Sequence, residues 1–142
     1  MKDLLLDTHV WIWLSIEDEV SISNKAKRAI KKADQKWISA ISCWELAKLV
    51  EKKRISFSIP LISWIRRSLN EGNIYLAELS PDIAVESSQL RGLHKDPADQ
   101  IIVATSRLLG IPLVTSDQRI LDFSDAETIW SVSYTHLRAH ET

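Results

Sequence analysis

The sequence predicts an α/β fold, a three-layer α/β/α domain in which helices cover both faces of a central parallel sheet. Apolar segments of strand length alternate with segments of helical period, and no repeat or low-complexity tract interrupts the alternation. The first strand, Leu4–Asp7, is apolar up to its last residue, as in strands that are buried on both faces of a parallel sheet. A length of 142 residues suits one such domain.

In the first half of the chain, the pattern predicts two helices, a strand and a third helix after the first strand. Val10–Ile16 is a short helix, and Ser21–Lys32 has the apolar spacing of a second one. Trp37–Ala40 is predicted as the second strand. Ser42 is predicted to begin a helix that ends at about Lys52.

The second half continues the alternation with clear stop and start signals. Glycine follows two of the predicted helices, and proline stands at the start of three, as is typical of helix ends and first turns. The predicted elements are a helix at Pro60–Leu69 before Gly72, an extended segment at Ile74–Leu79, a helix start at Ser80-Pro81-Asp82, a helix from Asp96-Pro97 to Leu109 before Gly110, and strands at Pro112–Thr115 and Ala126–Trp130.

Composition indicates a soluble protein of a reducing compartment. The formal net charge is -1, so contact with nucleic acid must come from local patches. The single cysteine, Cys43, cannot form an internal disulfide. The apolar run before Asp7 is too short for a signal peptide, and no stretch approaches the roughly 20 residues of a membrane span. We expect a cytoplasmic location and no membrane contact.

The last residues differ from the rest of the chain. Residues 132–142 resemble the in-frame translation of a sequencing-library adapter, so we expect a non-native tail after a domain at residues 1–131. Without that tail only His9 and His94 remain, and the sequence does not predict a histidine-rich metal site.

Four acidic residues stand where predicted strands give way to helices: Asp7, Glu45, Asp99 and Asp117. In an open α/β sheet, the carboxyl ends of the strands form one crevice where ligands bind. Converging carboxylates repel one another and are tolerated mainly when they hold a hard divalent cation. The sequence therefore predicts a metal-dependent hydrolase.

Each acid also has a purely structural interpretation. Ser42 and Glu45 have the spacing of a capping box, and Asp96 and Asp99 could be the N-cap and third residue of a helix. Asp117 could cap the turn that follows it. Asp7 fits this interpretation less well, because Thr8 would serve equally as a cap.

Other chemistries are poorly supported. The three glycines, Gly72, Gly92 and Gly110, lie too far apart for a dinucleotide fingerprint or a P-loop, and there is no Gly-x-Ser-x-Gly elbow. Cys43 lies at an apolar helix start and is interpreted as a structural thiol. A haloacid-dehalogenase-like phosphatase would need a second aspartate two residues after Asp7, where His9 stands.

Four blocks of the sequence carry a resemblance to a known family. They are similar to the signature blocks of PIN-domain nucleases, specifically of VapC-like toxins of bacterial type II toxin–antitoxin modules, and they run in order between Asp3 and Trp130. The blocks are Leu6–Trp11, Ser39–Ala47, His94–Ala104 and Leu113–Asp117.

The resemblance implies a ribonuclease that uses Mg²⁺ or Mn²⁺. By position, Asp7, Glu45, Asp99 and Asp117 match the acidic quartet of the family. We expect Asp7 and Asp99 to be inner metal ligands, with Glu45 and Asp117 acting through water, a second metal or proton transfer. Thr8, Ser42 and Thr115 match supporting polar positions, and Asp96 is either a cap or a supporting acid.

The resemblance also implies partners, namely an RNA substrate, a cognate antitoxin, a second copy of the chain, and DNA only through the antitoxin. Six tryptophans in a short chain favour a homodimer or an antitoxin surface, and base stacking is a weaker interpretation. Lysine-rich stretches such as 25–36 are either RNA-guiding patches or solvated helix faces. The alternatives are a catalytically inactive PIN-like binding module and a metal-dependent phosphatase-like hydrolase.

Overall fold

The computed structural model describes residues 2–130 of the chain. Strands and helices alternate as the sequence predicts. Their bounds are β1 (Leu4–Leu6), α1 (Thr8–Ser15), α2 (Asn24–Lys32), β2 (Lys36–Ser39), α3 (Ala40–Glu51), α4 (Leu61–Glu71), β3 (Ile74–Ala77), α5 (Pro81–Ser87), α6 (Pro97–Leu109), β4 (Leu113–Val114), α7 (Gln118–Leu121) and β5 (Thr128–Ile129).

The five strands form one parallel sheet in the order β3-β2-β1-β4-β5. The central strand β1 has Ile38 of β2 on one side of Leu6 and Val114 of β4 on the other. Because all strands run in the same direction, the residues that follow them meet at one edge. Asp7 and Thr115, each one residue past its strand, are therefore neighbours in this register.

Two apolar layers lie on opposite faces of the sheet, which confirms the predicted three-layer α/β/α architecture. Leu6 packs with Val10 and Trp11 of α1 on one face. Leu5 packs with Ile102 of α6 and Ile120 of α7 on the other, as the two-residue period of a strand requires. All of these side chains are essentially inaccessible to solvent.

The predicted start of α3 at Ser42 is wrong. The helix begins at Ala40, and Ser39 is its N-cap, with extended backbone angles (φ -75°, ψ 145°) and a side chain that accepts a hydrogen bond from the Ile41 amide. Ser39 follows the last apolar residues of β2 directly, so strand and helix are joined without a loop. Ser42 consequently lies inside the helix, fully buried.

Other element ends differ from their predicted positions by a few residues, as is usual at frayed ends. The end of α6 agrees with the prediction, since Gly110 adopts the left-handed conformation (φ 67°) that a helix stop favours. Within residues 2–130, no helix is long and apolar enough to cross a membrane. The predicted non-native tail at 132–142 lies outside the described residues.

Candidate active site

Asp7 lies at the centre of the sheet edge, between β1 and α1. It is the N-cap of α1, so the interpretation that Asp7 fits a capping role less well than the other acids is wrong. Its Oδ1 accepts a hydrogen bond from the Thr8 amide at 2.8 Å, and its Oδ2 accepts one from Thr115 Oγ1 at 2.6 Å. Burial raises the pKa of Asp7, although both hydrogen bonds oppose the shift. An ionised Asp7 is therefore costly unless a cation is near.

Glu45 reaches the same edge from α3. It lies in the sixth position of the helix, so the interpretation of Glu45 as part of a capping box is wrong. The Thr8 hydroxyl bonds to the Glu45 carboxylate and also lies 2.8 Å from Ser42 Oγ. Burial, followed by repulsion from Asp7 and Asp99, raises the pKa of Glu45 to about 7. Glu45 is thus divided between its charged and neutral forms near neutral pH.

Asp99 reaches the site from the first turn of α6. Asp96 is the N-cap of that helix and accepts hydrogen bonds from the Ala98 and Asp99 amides, which confirms its predicted capping role. Oδ2 of Asp99 lies 2.6 Å from His94 Nε2. Burial raises the pKa of Asp99 to about 6, although the hydrogen bond to His94 lowers it. A pKa of about 6 leaves Asp99 mostly ionised at neutral pH.

Asp117 closes the cluster at the end of β4, where it caps α7 as predicted. Its carboxylate accepts hydrogen bonds from the backbone and side chain of Arg119, including one from the guanidinium Nη2 to Oδ2 at 3.2 Å. Burial alone would raise the pKa of Asp117, but the bonds from Arg119 lower it below its ordinary value. Asp117 is the acid of the cluster that stays most readily charged.

The carboxylates converge closely enough to share a cation. Ligand atoms of Glu45, Asp96 and Asp99 lie within 4.8 Å of one another, as do those of His94, Asp99 and Asp117. Asp7 is joined to Glu45 through Thr8 and repels Glu45 and Asp99. An oxygen-rich set of this kind suits Mg²⁺ or Mn²⁺, which prefer carboxylates and retain several waters.

The structure brings together all eight residues that the sequence singled out: Asp7, Thr8, Ser42, Glu45, Asp96, Asp99, Thr115 and Asp117. Sequence reasoning missed His94 and Arg119. The sequence predicts no role for His94 itself, yet this side chain contacts Asp99, and Arg119 contacts two acids of the cluster. For Arg119 the available signal was its position two residues after Asp117, within the reach of its side chain.

Comparison with known proteins agrees with this geometry. The PIN domain family matches residues 4–126. The chain is 37% identical over 121 residues to Ribonuclease VapC22 of Mycobacterium tuberculosis, a match that covers 84% of this chain and 91% of that protein.

Solved structures share the fold at lower identity. VapBC2 from Rickettsia felis, bound to a DNA fragment from its promoter, superposes with a TM-score of 0.68 at 18% identity, covering 91% of this chain and 99% of the other. VapBC-1 from nontypeable Haemophilus influenzae gives a TM-score of 0.63 at 18% identity, covering 89% and 96%. The chain therefore belongs to the PIN-domain family, as a relative of the VapC ribonucleases.

Proposed function

We propose that this protein is a metal-dependent endoribonuclease and the toxin of a toxin–antitoxin module. The observation that carries the proposal is the convergence of Asp7, Glu45, Asp99 and Asp117 at the carboxyl edge of the sheet. RNA as the substrate is supported by the name of the Mycobacterium tuberculosis relative, whose match extends over most of both chains.

Mg²⁺ or Mn²⁺ is the proposed cofactor, with Asp7 and Asp99 as inner ligands. When bound, the cation lowers the pKa of its water and neutralises charge that develops on the phosphate. Thr115 and the Thr8 amide fix both oxygens of Asp7, and His94 holds one oxygen of Asp99. Carboxylates that are fixed by such hydrogen bonds already have the orientation of metal ligands, so they need not rearrange when the cation binds.

Glu45 is the proposed site of proton transfer. Its pKa of about 7 places it near the optimum for a general base at neutral pH. A hydroxyl carries one proton, so when Glu45 is ionised Thr8 donates that proton to the carboxylate, and Ser42 Oγ lies 2.8 Å away as the alternative acceptor. In this role Glu45 accepts the proton of the attacking water. Asp117, the readily charged acid, contributes negative charge to the cation site.

The reaction is a hydrolysis. The water oxygen bonds to phosphorus, the bond to the 3′-oxygen breaks, and that oxygen leaves with a proton. The products are a 5′-phosphate and a 3′-hydroxyl. A metal-free acid–base ribonuclease would instead use the 2′-hydroxyl and leave a 2′,3′-cyclic phosphate, a path for which His9 and His94 are poorly suited because His94 is engaged by Asp99 and His9 is exposed.

Analysis of the product ends tests the proposal. Purified protein is incubated with total RNA and Mg²⁺ or Mn²⁺, and the ends are mapped by phosphatase- and ligase-dependent sequencing. We expect 5′-phosphate ends at defined sites and complete inhibition by EDTA. Cyclic-phosphate ends, or cleavage in EDTA, would overturn the metal mechanism. Intact RNA would favour an inactive binding module, and release of phosphate from small esters alone would favour a phosphatase-like hydrolase.

An antitoxin helix is the proposed occupant of a groove between α1 and α2. The groove has a volume of about 580 Å³ and an apolar floor that includes Trp13, Leu14 and Ile22. Acidic residues 17–19 and basic residues of α2 also line the groove. An amphipathic helix with apolar anchors and charges of both signs suits such a groove, and VapBC complexes among the structural neighbours support this partner.

Co-purification with the product of a small adjacent reading frame tests the antitoxin proposal. The double change Arg28→Glu and Lys31→Glu reverses the charge of two basic residues that line the groove and is expected to weaken capture of that protein. Lys52→Glu, an equally exposed change at the end of α3, is the control and should leave capture unchanged. Equal capture by all variants would exclude this groove as the docking site. Contact with DNA is proposed only through the antitoxin.

We also propose a cytoplasmic homodimer. Five of the six tryptophans are buried or half-buried, so Trp44, which is 53% exposed, is the tryptophan that remains for a contact with a second copy. Light scattering of the purified protein without antitoxin is expected to give the mass of two chains at micromolar concentration. A monomer mass would exclude the dimer.

A further inference from the structure

Arg119 is the arginine that contacts the acidic cluster within residues 2–130. Its guanidinium Nη2 lies 3.2 Å from Asp117 Oδ2 and 3.8 Å from Asp99 Oδ2. Its Nε also approaches Asp117 Oδ1 at 3.4 Å. A single side chain thus places positive charge on two of the carboxylates that we assign to the metal site.

A divalent cation and this guanidinium cannot share the same oxygens without repulsion. Both carry positive charge, and at separations of a few ångströms like charges repel strongly in a partly buried site. Asp99 is held by His94 in the protein interior, whereas the side chain of Arg119 is 62% exposed. The guanidinium is therefore the group that is free to move.

Moving the guanidinium costs little. Exposed ion pairs contribute little to stability, because solvent screens them and the long side chain loses entropy when it is fixed. Once a cation binds the carboxylates, the backbone of Arg119 stays beside the cluster, because its amide donates the N-cap hydrogen bond to Asp117. The planar guanidinium then has no carboxylate partner. A phosphodiester can accept two parallel hydrogen bonds from it, because the two phosphate oxygens match the spacing of the guanidinium donors.

We infer that Arg119 exchanges partners during the reaction cycle: in the metal-free protein it binds Asp117 and Asp99, and in the metal-loaded protein it binds a phosphate of the substrate. Only the second half of this inference, the binding of a substrate phosphate, rests on the proposed ribonuclease function. The exchange makes Arg119 both a competitor of the cation and a substrate-binding residue, and two separate measurements on Arg119→Gln distinguish these roles.

The metal half is tested without RNA. Mn²⁺ is titrated into metal-free protein by calorimetry. Arg119→Gln removes the competing charge, and we expect it to bind Mn²⁺ about two- to fivefold more tightly, the range set by an exposed ion pair. Arg107→Gln is the matched control, because Arg107 also pairs with a carboxylate, Glu86, but at the opposite end of α6. It should leave Mn²⁺ affinity unchanged.

The RNA half is tested by steady-state cleavage of a fluorogenic oligoribonucleotide at several salt concentrations. With saturating Mn²⁺, Arg119→Gln is expected to lower kcat/KM about 10- to 100-fold, mainly through KM, as for loss of charged hydrogen bonds. The slope of log(kcat/KM) against log[salt] should become shallower by about 0.7, the value for one phosphate contact on a single strand. Arg119→Lys keeps the charge without the fork, so it should restore the slope and only part of kcat/KM.

The outcomes separate this inference from the proposed function. If Arg119→Gln weakens Mn²⁺ binding, Arg119 merely holds Asp117 in place and the inference is wrong. An unchanged salt slope in an active enzyme would also overturn it. If no variant cleaves RNA but Arg119→Gln still binds Mn²⁺ more tightly, the proposed function fails while the competition remains.

Discussion

The Thr115 hydroxyl donates a 2.6 Å hydrogen bond to Asp7 Oδ2 and thereby joins the end of β4 to the end of β1, 108 positions apart in the chain. The same hydroxyl accepts a hydrogen bond from the Asp117 amide at 3.1 Å. Thr115 is fully buried, so water cannot replace either bond. One side chain therefore fixes the orientation of one acid and the backbone position of another.

Thr115→Val is expected to weaken the metal site while leaving the fold intact. The change keeps the shape of the side chain but removes the hydrogen-bond donor to Asp7. Asp7 then loses a partner that orients it as a metal ligand. We expect metal affinity or cleavage to fall about 10- to 100-fold. Mn²⁺ calorimetry and circular dichroism measure the two effects. Thr115→Ser, which keeps the hydroxyl, should retain most of the affinity, and equal losses in both variants would contradict the role of the hydrogen bond.

Asp7→Asn and Asp99→Asn are expected to abolish both cleavage and stabilisation by metal. Each change keeps the size of the side chain and removes one charge from the site. For the parent protein, Mg²⁺ at ten times its Kd should add about 1.4 kcal/mol to the free energy of unfolding. Thermal denaturation with and without Mg²⁺ measures this shift. Asp125→Asn, a change at an exposed position beyond α7, should keep the full shift, and a shift of parental size in Asp99→Asn would exclude Asp99 as a ligand.

The metal-free protein is expected to lose stability as the pH rises through neutrality. The pKa of Glu45 is raised from 4.5 to about 7 in the folded protein. Between these two values the folded state holds more protons than the unfolded state, so its stability falls as the pH rises. The stability from this group is complete below about pH 4.5 and is lost as the pH passes through 7. The pKa of Asp99, raised to about 6, acts in the same direction.

Glu45→Gln isolates this effect. In EDTA, the midpoint temperature of the parent minus that of Glu45→Gln should fall steadily between pH 5 and pH 8. Thermal denaturation over a pH series provides the measurement. A difference that does not vary with pH, or one that grows as the pH rises, would contradict the raised pKa of Glu45.

Leu5→Ala is expected to destabilise the fold by about 2–5 kcal/mol, because it leaves a cavity that the surrounding side chains cannot fill. Leu5 is completely buried at the centre of the sheet and packs against Ile102 and Ile120. Urea denaturation measures the change in the free energy of unfolding. Val85 on α5 is 58% exposed, so Val85→Ala should lower the free energy of unfolding by less than about 0.5 kcal/mol. Similar losses in both variants would contradict the burial of Leu5.

The sequence predicted the acids of the site because their placement follows from the backbone. A parallel sheet brings the residues after its strands to one edge, so Asp7 and Asp117 could be located from the strand pattern alone. The Asp96-Pro97 pair predicted the start of α6, and with it the position of Asp99 one turn further. Backbone period and capping chemistry were sufficient for these residues.

The remaining features depend on side-chain packing, which period and spacing do not encode. Ser42 and Glu45 have the spacing of a capping box, but Ser39 already caps the helix, so both residues are free to turn toward Thr8. His94 reaches Asp99 from an irregular segment, and neither periodicity nor capping chemistry predicts the path of that segment. The number of tryptophans also did not predict how many of them the fold buries.

The distribution of the acids along the chain also determines when the acidic cluster can form during synthesis of the protein. Asp7 is synthesised early, but its partner Thr115 and the acid Asp117 come from the final third of the described residues. The central strand β1 must wait for β4 to pair beside it. The complete cluster can therefore assemble only after Asp117 has left the ribosome, and a fragment that ends before Thr115 lacks both the hydrogen bond to Asp7 and the fourth acid.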